Sequence, residues 1–329
     1  NGTAESITTI QLNAAGKPAS EGNFGNWYYS AASGCQLDTG VFALQPSSEP
    51  EAESALKARL FRIEDNAELV RGTVGCETIN YGTIFDGIFQ GKVTNFRTIS
   101  GGTFQGEVNN WGTISNGTFQ REVDNQGTIS NGTFQQPVNN SNTISDGIFQ
   151  GKVANFRTIS GGTFEEAVGV YASSRTEAKI EGGTFEKDMT LANDDAPITI
   201  KDGLFDGEVV TKKCDSPLSI SGGLFTNAVD VSNTTNLPNL QITGGYFVSK
   251  PTMPEGSDTG FTTVSDQDGR TFQVPVNGGF SESCTSLFVP RGSSEQPNTI
   301  TVKTNTKLLY YLADGERFPV LDSDSDSYI

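Results

Sequence analysis

Five charged residues between 194 and 206 have the side chains that polysaccharide cleavage would require. Asp194 and Asp195 stand in the segment NDDAP, and Lys201, Asp202 and Asp206 stand in KDGLFDG. Such cleavage uses two carboxyl groups about 5 to 10 Å apart, or an acid with a basic partner, in a groove. Acidic runs more often form a solvated surface, and we favour that interpretation of these residues.

The composition and net charge argue against several classes of cofactor and binding partner. The 329 residues include no histidine, the usual general base and metal ligand near neutral pH. The formal net charge is −17, whereas binding to nucleic acid or to an anionic membrane requires a basic face. The sequence also contains no run of eighteen apolar residues. We therefore expect no cofactor, no metal, no nucleic-acid partner and no membrane insertion.

The four cysteines show no C-x-x-C spacing, which argues against a metal site made of cysteines. They are Cys35, Cys76, Cys214 and Cys284. One or two disulfides are compatible with an exported protein. Buried free thiols are the equally weighted alternative.

A second type of chemistry comes from aromatic and amide side chains that recur every fifteen residues. The aromatic residues are Tyr81, Phe96, Trp111, Phe156 and Tyr171. The amides occupy another position of the same repeat, at Gln90, Gln105, Gln120, Gln135 and Gln150. Aromatic rings beside amides and hydroxyls can stack on sugar rings and bond their hydroxyl groups. The alternative is that these rings only cover the neighbouring repeats.

Apart from Tyr81, which falls in a degenerate copy at 68–82, these aromatic and amide residues lie in six consecutive fifteen-residue segments from 83 to 172. The first segment reads TIFDGIFQGKVTNFR. Ile, Phe and Val recur at the second, seventh and eleventh positions, mostly between polar residues. That alternation indicates short strands with one buried side chain each. Glycine at the fifth position disfavours a helix and supplies the positive φ of a tight corner. The repeat therefore predicts an all-β fold, a parallel β-solenoid (β-helix) with three short strands per coil.

Asparagine occupies the thirteenth position of the first five copies and of a degenerate copy at 68–82. These residues are Asn80, Asn95, Asn110, Asn125, Asn140 and Asn155. Coils stacked about 4.8 Å apart place the amides in a column, where each can donate to and accept from its neighbours. We predict an internal asparagine ladder with a structural role.

The motif I-x-x-G-x-F continues after the regular copies at intervals of 20 to 22 residues, which predicts wider coils. We place the solenoid at 36–250, an N-terminal cap at 1–35, and a β-rich cap or small domain at 251–329. An Ala- and Glu-rich stretch at about 48–60 predicts a helix inserted from one coil. Two strands are predicted on either side of the Asp-Gly turn in GFTTVSDQDGRTFQV.

One block of sequence is duplicated, since residues 83–104 and 143–164 differ at only two positions. The differences are Phe85 against Ser145 and Thr94 against Ala154. Copying of whole coils favours an array and its surface, rather than one special pocket, as the product of selection.

The chain resembles large repeat-containing, adhesin-like cell-surface proteins of gut bacteria. The resemblance rests on NWYYSAASGCQLDTGVF, on the GTIS-GGTF coils, and on GGYFVSKP with the following Asp-Gly turn. It covers about residues 25 to 275. Export and surface display are what the resemblance implies, and it supplies no catalytic residues.

We therefore expect a non-enzymatic, monomeric, extracellular module that binds glycans or surface proteins, or acts as a spacer. A polysaccharide lyase or glycoside hydrolase of the β-helix type is the alternative. Ice binding by the Thr-x-Ser strands is a weaker one, because Gln and charged residues interrupt the faces.

Overall fold

The computed structural model describes residues 28–31, 36–42, 60–235, 237–257, 259–265, 270–276, 310–313 and 316–319. Their regular structure is β-strand apart from a 3-10 helix at Leu237–Asn239. None of the helices found in these ranges has the length and apolar character needed to cross a membrane. The chain divides into two compact units, Asn1–Val138 and Asn139–Ile329, and each contains its own stack of coils.

Each regular coil contains three strands, which we name the Ile strand, the Phe strand and the Asn strand. In coil 98–112 they are Thr98–Ile99, Thr103–Phe104 and Val108–Asn110. The residues that give the strands their names are fully buried, and their polar neighbours face outward. Gly102, at the corner between the first two strands, has a φ of +109°. This backbone conformation explains the glycine at the fifth position of each copy.

The first unit contains four regular strands of each kind. The Ile strands are Thr83–Ile84, Thr98–Ile99, Thr113–Ile114 and Thr128–Ile129. The Phe strands are Ile88–Phe89, Thr103–Phe104, Thr118–Phe119 and Thr133–Phe134. The Asn strands are Glu77–Asn80, Val93–Asn95, Val108–Asn110 and Val123–Asn125. Earlier in the chain, Tyr28–Ala31 and Leu60–Ile63 extend the sheet of Asn strands, and Gln36–Phe42 and Glu68–Val74 each combine an Ile strand with a Phe strand.

Strands of successive coils in this unit pair in parallel, with identical residues in register. Ile99 pairs with Ile114, and Phe104 pairs with Phe119. The rings of Phe89, Phe104, Phe119 and Phe134 stack with centroids 4.7 to 4.9 Å apart. Burial of each Phe contributes about 1.5 to 3 kcal/mol, and a stacked aromatic pair adds about 0.5 to 1.5 kcal/mol.

The second unit repeats this arrangement. Its Ile strands are Thr143–Ile144, Thr158–Ile159, Ala178–Ile180 and Ile198–Ile200. Its Phe strands are Ile148–Phe149, Thr163–Phe164, Thr184–Phe185 and Leu204–Phe205. The third face is formed by Val153–Asn155, Val168–Ala172, Met189–Asn193, Val209–Cys214 and Val229–Asp230, and the unit boundary falls in Val138–Asn140. Leu218–Phe225 and Leu240–Phe247 combine an Ile strand with a Phe strand.

The wider coils of the second unit lengthen the third face. The strand grows from three residues in Val153–Asn155 to five in Val168–Ala172 and six in Val209–Cys214. Side chains still alternate along Val168–Ala172, because Val168, Val170 and Ala172 are buried. In Val168–Ala172 the extra length therefore adds a buried position at the same side-chain period. In Val209–Cys214 a register shift opposite Leu191 and Ala192 interrupts that period.

A β-hairpin ends the Phe column. Phe261–Ser265 and Thr271–Pro275 pair antiparallel, and Gln273 pairs with Phe247 of the last long strand. The ring of Phe261 meets that of Phe247 edge-on, with centroids 6.0 Å apart. This geometry replaces the parallel stacking of the coils. A further hairpin consists of Tyr310–Ala313 and Glu316–Pro319.

The predicted β-solenoid, with narrow coils followed by wider ones, is confirmed, and so are the degenerate copy at 68–82 and the hairpin around the Asp-Gly turn. The helix predicted near 48–60 falls outside the described residues, except that residue 60 begins a strand. The strand Tyr28–Ala31 lies in the range that we assigned to the N-terminal cap. It pairs in parallel with Leu60–Ile63 of the solenoid.

Candidate ligand-binding site at the Asn-strand corner

The corner after each Asn strand is held by a buried amide. In the first unit, Asn80 Nδ2 donates to Asn95 Oδ1 at 2.7 Å, and Asn95 and Asn110 donate in the same way to the next Asn, also at 2.7 Å. Asn110 Nδ2 also lies 3.1 Å from the Gly112 carbonyl oxygen. The amide thus binds both its own corner and the next coil, which fixes the direction of the residue that follows it.

The second unit has one Asn–Asn contact of this kind, and in its wider coils Asn193 makes a different contact at the corner. Asn140 Nδ2 donates to Asn155 Oδ1 at 2.7 Å. In the wider coils the register position of Asn155 is taken by Val170. Asn193 is buried at the end of its lengthened strand, where its Nδ2 donates to the carbonyls of Ser216 and Pro217, each at 3.1 Å. The sequence analysis missed Asn193 because it lies outside the fifteen-residue period.

In the first unit, the residues after Asn80, Asn95 and Asn110 are aromatic and stack along the outside of the coils. The rings of Tyr81 and Phe96 are parallel, with centroids 5.0 Å apart. Phe96 and Trp111 follow at 6.5 Å and 21°. The Arg62 guanidinium lies 4.7 Å from the Tyr81 ring centre and covers its other face. Both faces of the Tyr81 and Phe96 rings are therefore occupied within the protein.

Trp111 is different because it ends this column. It has the ring of Phe96 on one side, whereas the same position of the next coil holds Gln126. Trp111 is 51% exposed, compared with 43% for Phe96. Among the aromatic residues in this column, Trp111 therefore offers the largest indole or phenyl surface to a ligand.

The second unit has a shorter column of Phe156 and Tyr171, tilted by 30° with centroids 5.4 Å apart. A Cβ atom on Gly169 would lie 2.4 Å from the Tyr171 hydroxyl. The tyrosine ring therefore lies back over the strand, above a residue that has no side chain. Phe156 is 38% exposed and Tyr171 is 37% exposed, less than Trp111.

The exposed glutamines, which the sequence placed in a second repeating column, lie on a different part of the coil from the aromatic residues. Gln105, Gln120 and Gln135 are exposed directly after the Phe strands, whereas the aromatic column follows the Asn strands. The structure therefore brings the aromatic residues together with one another and does not bring the glutamines to them. Two exposed apolar residues of the first unit were not singled out from the sequence, Phe85 and Ile88 at the Gly87 corner.

The acidic candidates take part in separate contacts. Asp194 accepts from Lys213 Nζ at 2.8 Å, Asp206 accepts from the Thr226 hydroxyl at 2.7 Å, and Asp202 is fully buried. Lys201 Nζ lies 2.6 Å from Glu181 Oε1.

Lys213, which the sequence analysis did not single out, also lies 3.0 Å from Asp215. Hydrogen bonds to Asp194 and Asp215 hold the pKa of Lys213 above its usual range. The Lys213 and Thr235 hydrogen bonds lower the pKa of Asp215. Lys213 is thus a persistent cation that neutralises its acidic neighbours.

Cys214 is a free thiol with no exposed surface. Of the two alternatives given for the cysteines, disulfides or buried free thiols, it is therefore a buried free thiol. Burial raises the pKa of its thiol to about 11. Cys76 is also buried, and Cys35 and Cys284 lie outside the described residues. Within the described ranges, no group of three or more Cys, Asp or Glu side chains is arranged to hold a metal ion.

The comparisons with known proteins give no match: no protein-family model, no curated protein and no solved structure is similar to this chain.

Proposed function

We propose that this chain is a non-enzymatic, extracellular binding module that holds carbohydrate against the exposed indole of Trp111. The single observation that carries the proposal is the position of that ring at the end of a stacked column, with half of its surface exposed. Rigid, half-exposed aromatic rings contribute large contact area at a low cost in conformational entropy. Display on a bacterial cell surface, with glycans as partners, is part of this proposal.

The scaffold suits such a task because Trp111 is held by the coil below it. Its backbone N–H donates to the Asn95 carbonyl at 2.7 Å, and its ring is packed on Phe96. A ring that is already ordered before binding loses little freedom when a sugar stacks on it.

The experiment is a glycan array with the parent chain and two single variants, Trp111→Gln and Phe85→Ser. Each variant introduces the residue that another coil carries at the same position, Gln126 and Ser145 respectively. Both remove an exposed aromatic ring, since Phe85 is 44% exposed. We expect Trp111→Gln to lose binding and Phe85→Ser to keep it.

Circular dichroism and melting curves verify that both variants fold. Equal loss in the two variants would show that exposed aromatic surface, rather than the Trp111 site, is responsible. Absence of binding by the folded parent chain would contradict the proposal and leave the spacer function as the better explanation.

A further inference from the structure

We propose that Asn116 and Asn131 are sites of spontaneous deamidation, and that the folded corner yields aspartate there rather than isoaspartate. Each of these asparagines is followed by glycine, at the corner between an Ile strand and a Phe strand of the first unit. The chain has two further Asn-Gly pairs, Asn1–Gly2 and Asn277–Gly278, which lie outside the described residues. This modification is independent of carbohydrate binding.

The corner holds the two reacting groups together. Gly117 N donates to Asn116 Oδ1 at 2.8 Å, and Gly132 N donates to Asn131 Oδ1 at the same distance. Cγ is bonded to that oxygen, so the glycine nitrogen stands beside the carbon that it must attack. Groups held about 3 to 3.5 Å apart need little further ordering before they react. Glycine also places no side chain beside the nitrogen.

The glycine nitrogen is available because it takes no part in the pairing between coils. Thr118 N donates to the Gly102 carbonyl, and Thr133 N donates to the Gly117 carbonyl, each at 2.8 Å. Among the described residues, Gly117 N has its hydrogen bond with Asn116 Oδ1 and none with a neighbouring coil. Ring closure therefore breaks one local contact and leaves the pairing of the strands in place. The asparagine is exposed, so water reaches it.

The reaction needs water and no other reactant. The Gly117 nitrogen bonds to Asn116 Cγ as the Cγ–Nδ2 bond breaks, and Nδ2 leaves as ammonia with the proton from the glycine nitrogen. The product is a five-membered succinimide ring, which water opens in one of two ways. Addition at Cγ breaks the new N–Cγ bond, returns a proton to the nitrogen and leaves an aspartate carboxylate. Addition at the main-chain carbonyl carbon breaks the original peptide bond and gives isoaspartate, whose main chain runs through Cβ.

The packing of the corner disfavours isoaspartate. That product lengthens the main chain by one atom between Ile114 and Phe119, which are paired in register with the preceding coil. A Cβ atom on Gly117 would already lie 3.1 Å from the Gly102 carbonyl oxygen. The backbone is therefore packed too closely at this corner for an added atom, unless the paired strands shift.

Aspartate fits the same corner, because two other coils already carry it. Gly87 N donates to Asp86 Oδ1 at 2.7 Å, and Gly147 N donates to Asp146 Oδ1 at 2.8 Å. The glycines at all four corners have φ angles from +130° to +136°. Conversion of either asparagine to aspartate thus keeps the geometry of the corner and adds one negative charge to the surface.

Asn227 is an internal control, because it makes the same contact without glycine. Ala228 N donates to Asn227 Oδ1 at 2.8 Å, and Asn227 is exposed. Its Nδ2 also donates to the Asp206 carbonyl at 3.4 Å. The methyl group of Ala228 crowds the nitrogen and restricts the backbone angles available for ring closure. We expect Asn116 and Asn131 to react at least about tenfold faster than Asn227, a difference in activation free energy of about 1.4 kcal/mol.

The experiment is incubation of the folded full chain in mildly alkaline buffer, followed by peptide mapping with mass spectrometry. The urea-unfolded chain is incubated in parallel, and electron-transfer fragmentation distinguishes aspartate from isoaspartate in each peptide. One variant is Ala228→Gly, which gives Asn227 a glycine neighbour. The other combines Asn116→Asp with Asn131→Asp and so carries the proposed product at both corners. Circular dichroism and melting curves compare both variants with the parent.

In the folded chain we expect the Asn116 and Asn131 peptides to yield mainly aspartate. In the unfolded chain isoaspartate should prevail, because the main-chain carbonyl carbon is the more electrophilic and no packing selects between the two ring openings. Asn227 should stay intact over the same period in the parent and should convert in Ala228→Gly. The double aspartate variant should melt at the temperature of the parent.

Intact Asn116 and Asn131 in the folded chain, at a time when the unfolded chain has reacted, would mean that the corner protects them and would overturn the proposal. An equal share of isoaspartate in the folded and unfolded chains would overturn the selection of aspartate. A double variant that melts well below the parent would contradict the fit of aspartate at the corner.

Discussion

Asn110 illustrates how a single buried amide determines the position of an exposed residue. Its Nδ2 donates to Asn125 Oδ1 at 2.7 Å, and its Oδ1 accepts from Asn95 Nδ2 at 2.7 Å. Because its amide is used on both sides, the amide links three coils and fixes the corner from which Trp111 extends. Loss of one member leaves polar groups on two other coils without their partners.

Replacement of Asn110 by alanine should therefore destabilise the protein by about 2 to 5 kcal/mol, because each buried polar group left unpaired costs about 1 to 3 kcal/mol. The matched control is Asn109→Ala, an outward-facing residue whose position holds Ala154 in another coil. We expect the control to stay within about 0.5 kcal/mol of the parent. Equal effects of the two changes in urea denaturation would contradict the role of the ladder.

The Cys214 thiol allows a test of burial through pH. Its pKa is raised by burial from the ordinary 9.0 to about 11. At pH 8 the native thiolate fraction is lower than in the unfolded chain by roughly a hundredfold, and alkylation should slow accordingly. Because the folded value is the higher one, the stabilisation is complete below pH 9 and is lost as the pH rises toward 11.

Mass spectrometry of the Cys214 peptide after iodoacetamide treatment measures this protection, with the urea-unfolded chain as the reference. Similar rates in the native and unfolded chains would mean that the thiol is not buried as described.

The fifteen-residue period made it possible to predict which residues lie at the same corner of each coil. It did not predict which side chains contact one another there. The fifteen-residue spacing placed Tyr81, Phe96 and Trp111 at one corner. It could not distinguish them, because the distinction depends on which ring faces are covered by neighbours. The structure distinguishes the three rings, because Arg62 covers Tyr81 and Trp111 ends the column.

At the scale of the strands, the corners limit what the sequence can contain. Gly117 joins an Ile strand to a Phe strand with a φ of +133°. A Cβ atom there would lie 3.1 Å from the Gly102 carbonyl oxygen and 3.2 Å from the Phe119 ring. Both the backbone angle and the tight packing therefore require glycine.

The change Gly117→Ala should lower the free energy of unfolding by about 1 to 3 kcal/mol, the usual cost of a strained backbone conformation. Ser115→Ala, at an exposed position in the same coil, is the control and should change stability by less than about 0.5 kcal/mol. Denaturant unfolding of the three proteins compares them. A neutral Gly117→Ala would show that the corner relaxes without strain.

The wider coils show where strand prediction from the sequence ended. Intervals of 20 to 22 residues between Ile residues predicted added length but allowed either loops or a longer third face. The face lengthened because Val168, Val170 and Ala172 alternate into the core. Asn193 then takes over the corner contact two residues beyond the old position. That substitution depends on pairing with Ser216 and Pro217, which no local pattern specifies.

At the scale of the whole molecule, repetition supplies the stability and its interruption supplies the candidate site. Within each unit the buried Ile, Phe and Asn residues hardly vary from coil to coil, whereas the outward residues change. The aromatic column ends at Trp111 because the next coil carries Gln126. A single departure from the repeat therefore ends the column and leaves Trp111 as its most exposed ring.

The most direct test of this account uses the fluorescence of Trp111 itself. The chain contains two tryptophans, Trp27 and Trp111, so a Trp27→Phe variant leaves Trp111 as the sole tryptophan. Titration with a glycan that binds the parent chain on the array should then change its emission with a saturable curve, and calorimetry of the same glycan should give the same Kd. Unchanged Trp111 emission over concentrations at which calorimetry detects binding would place the ligand elsewhere and contradict the central claim.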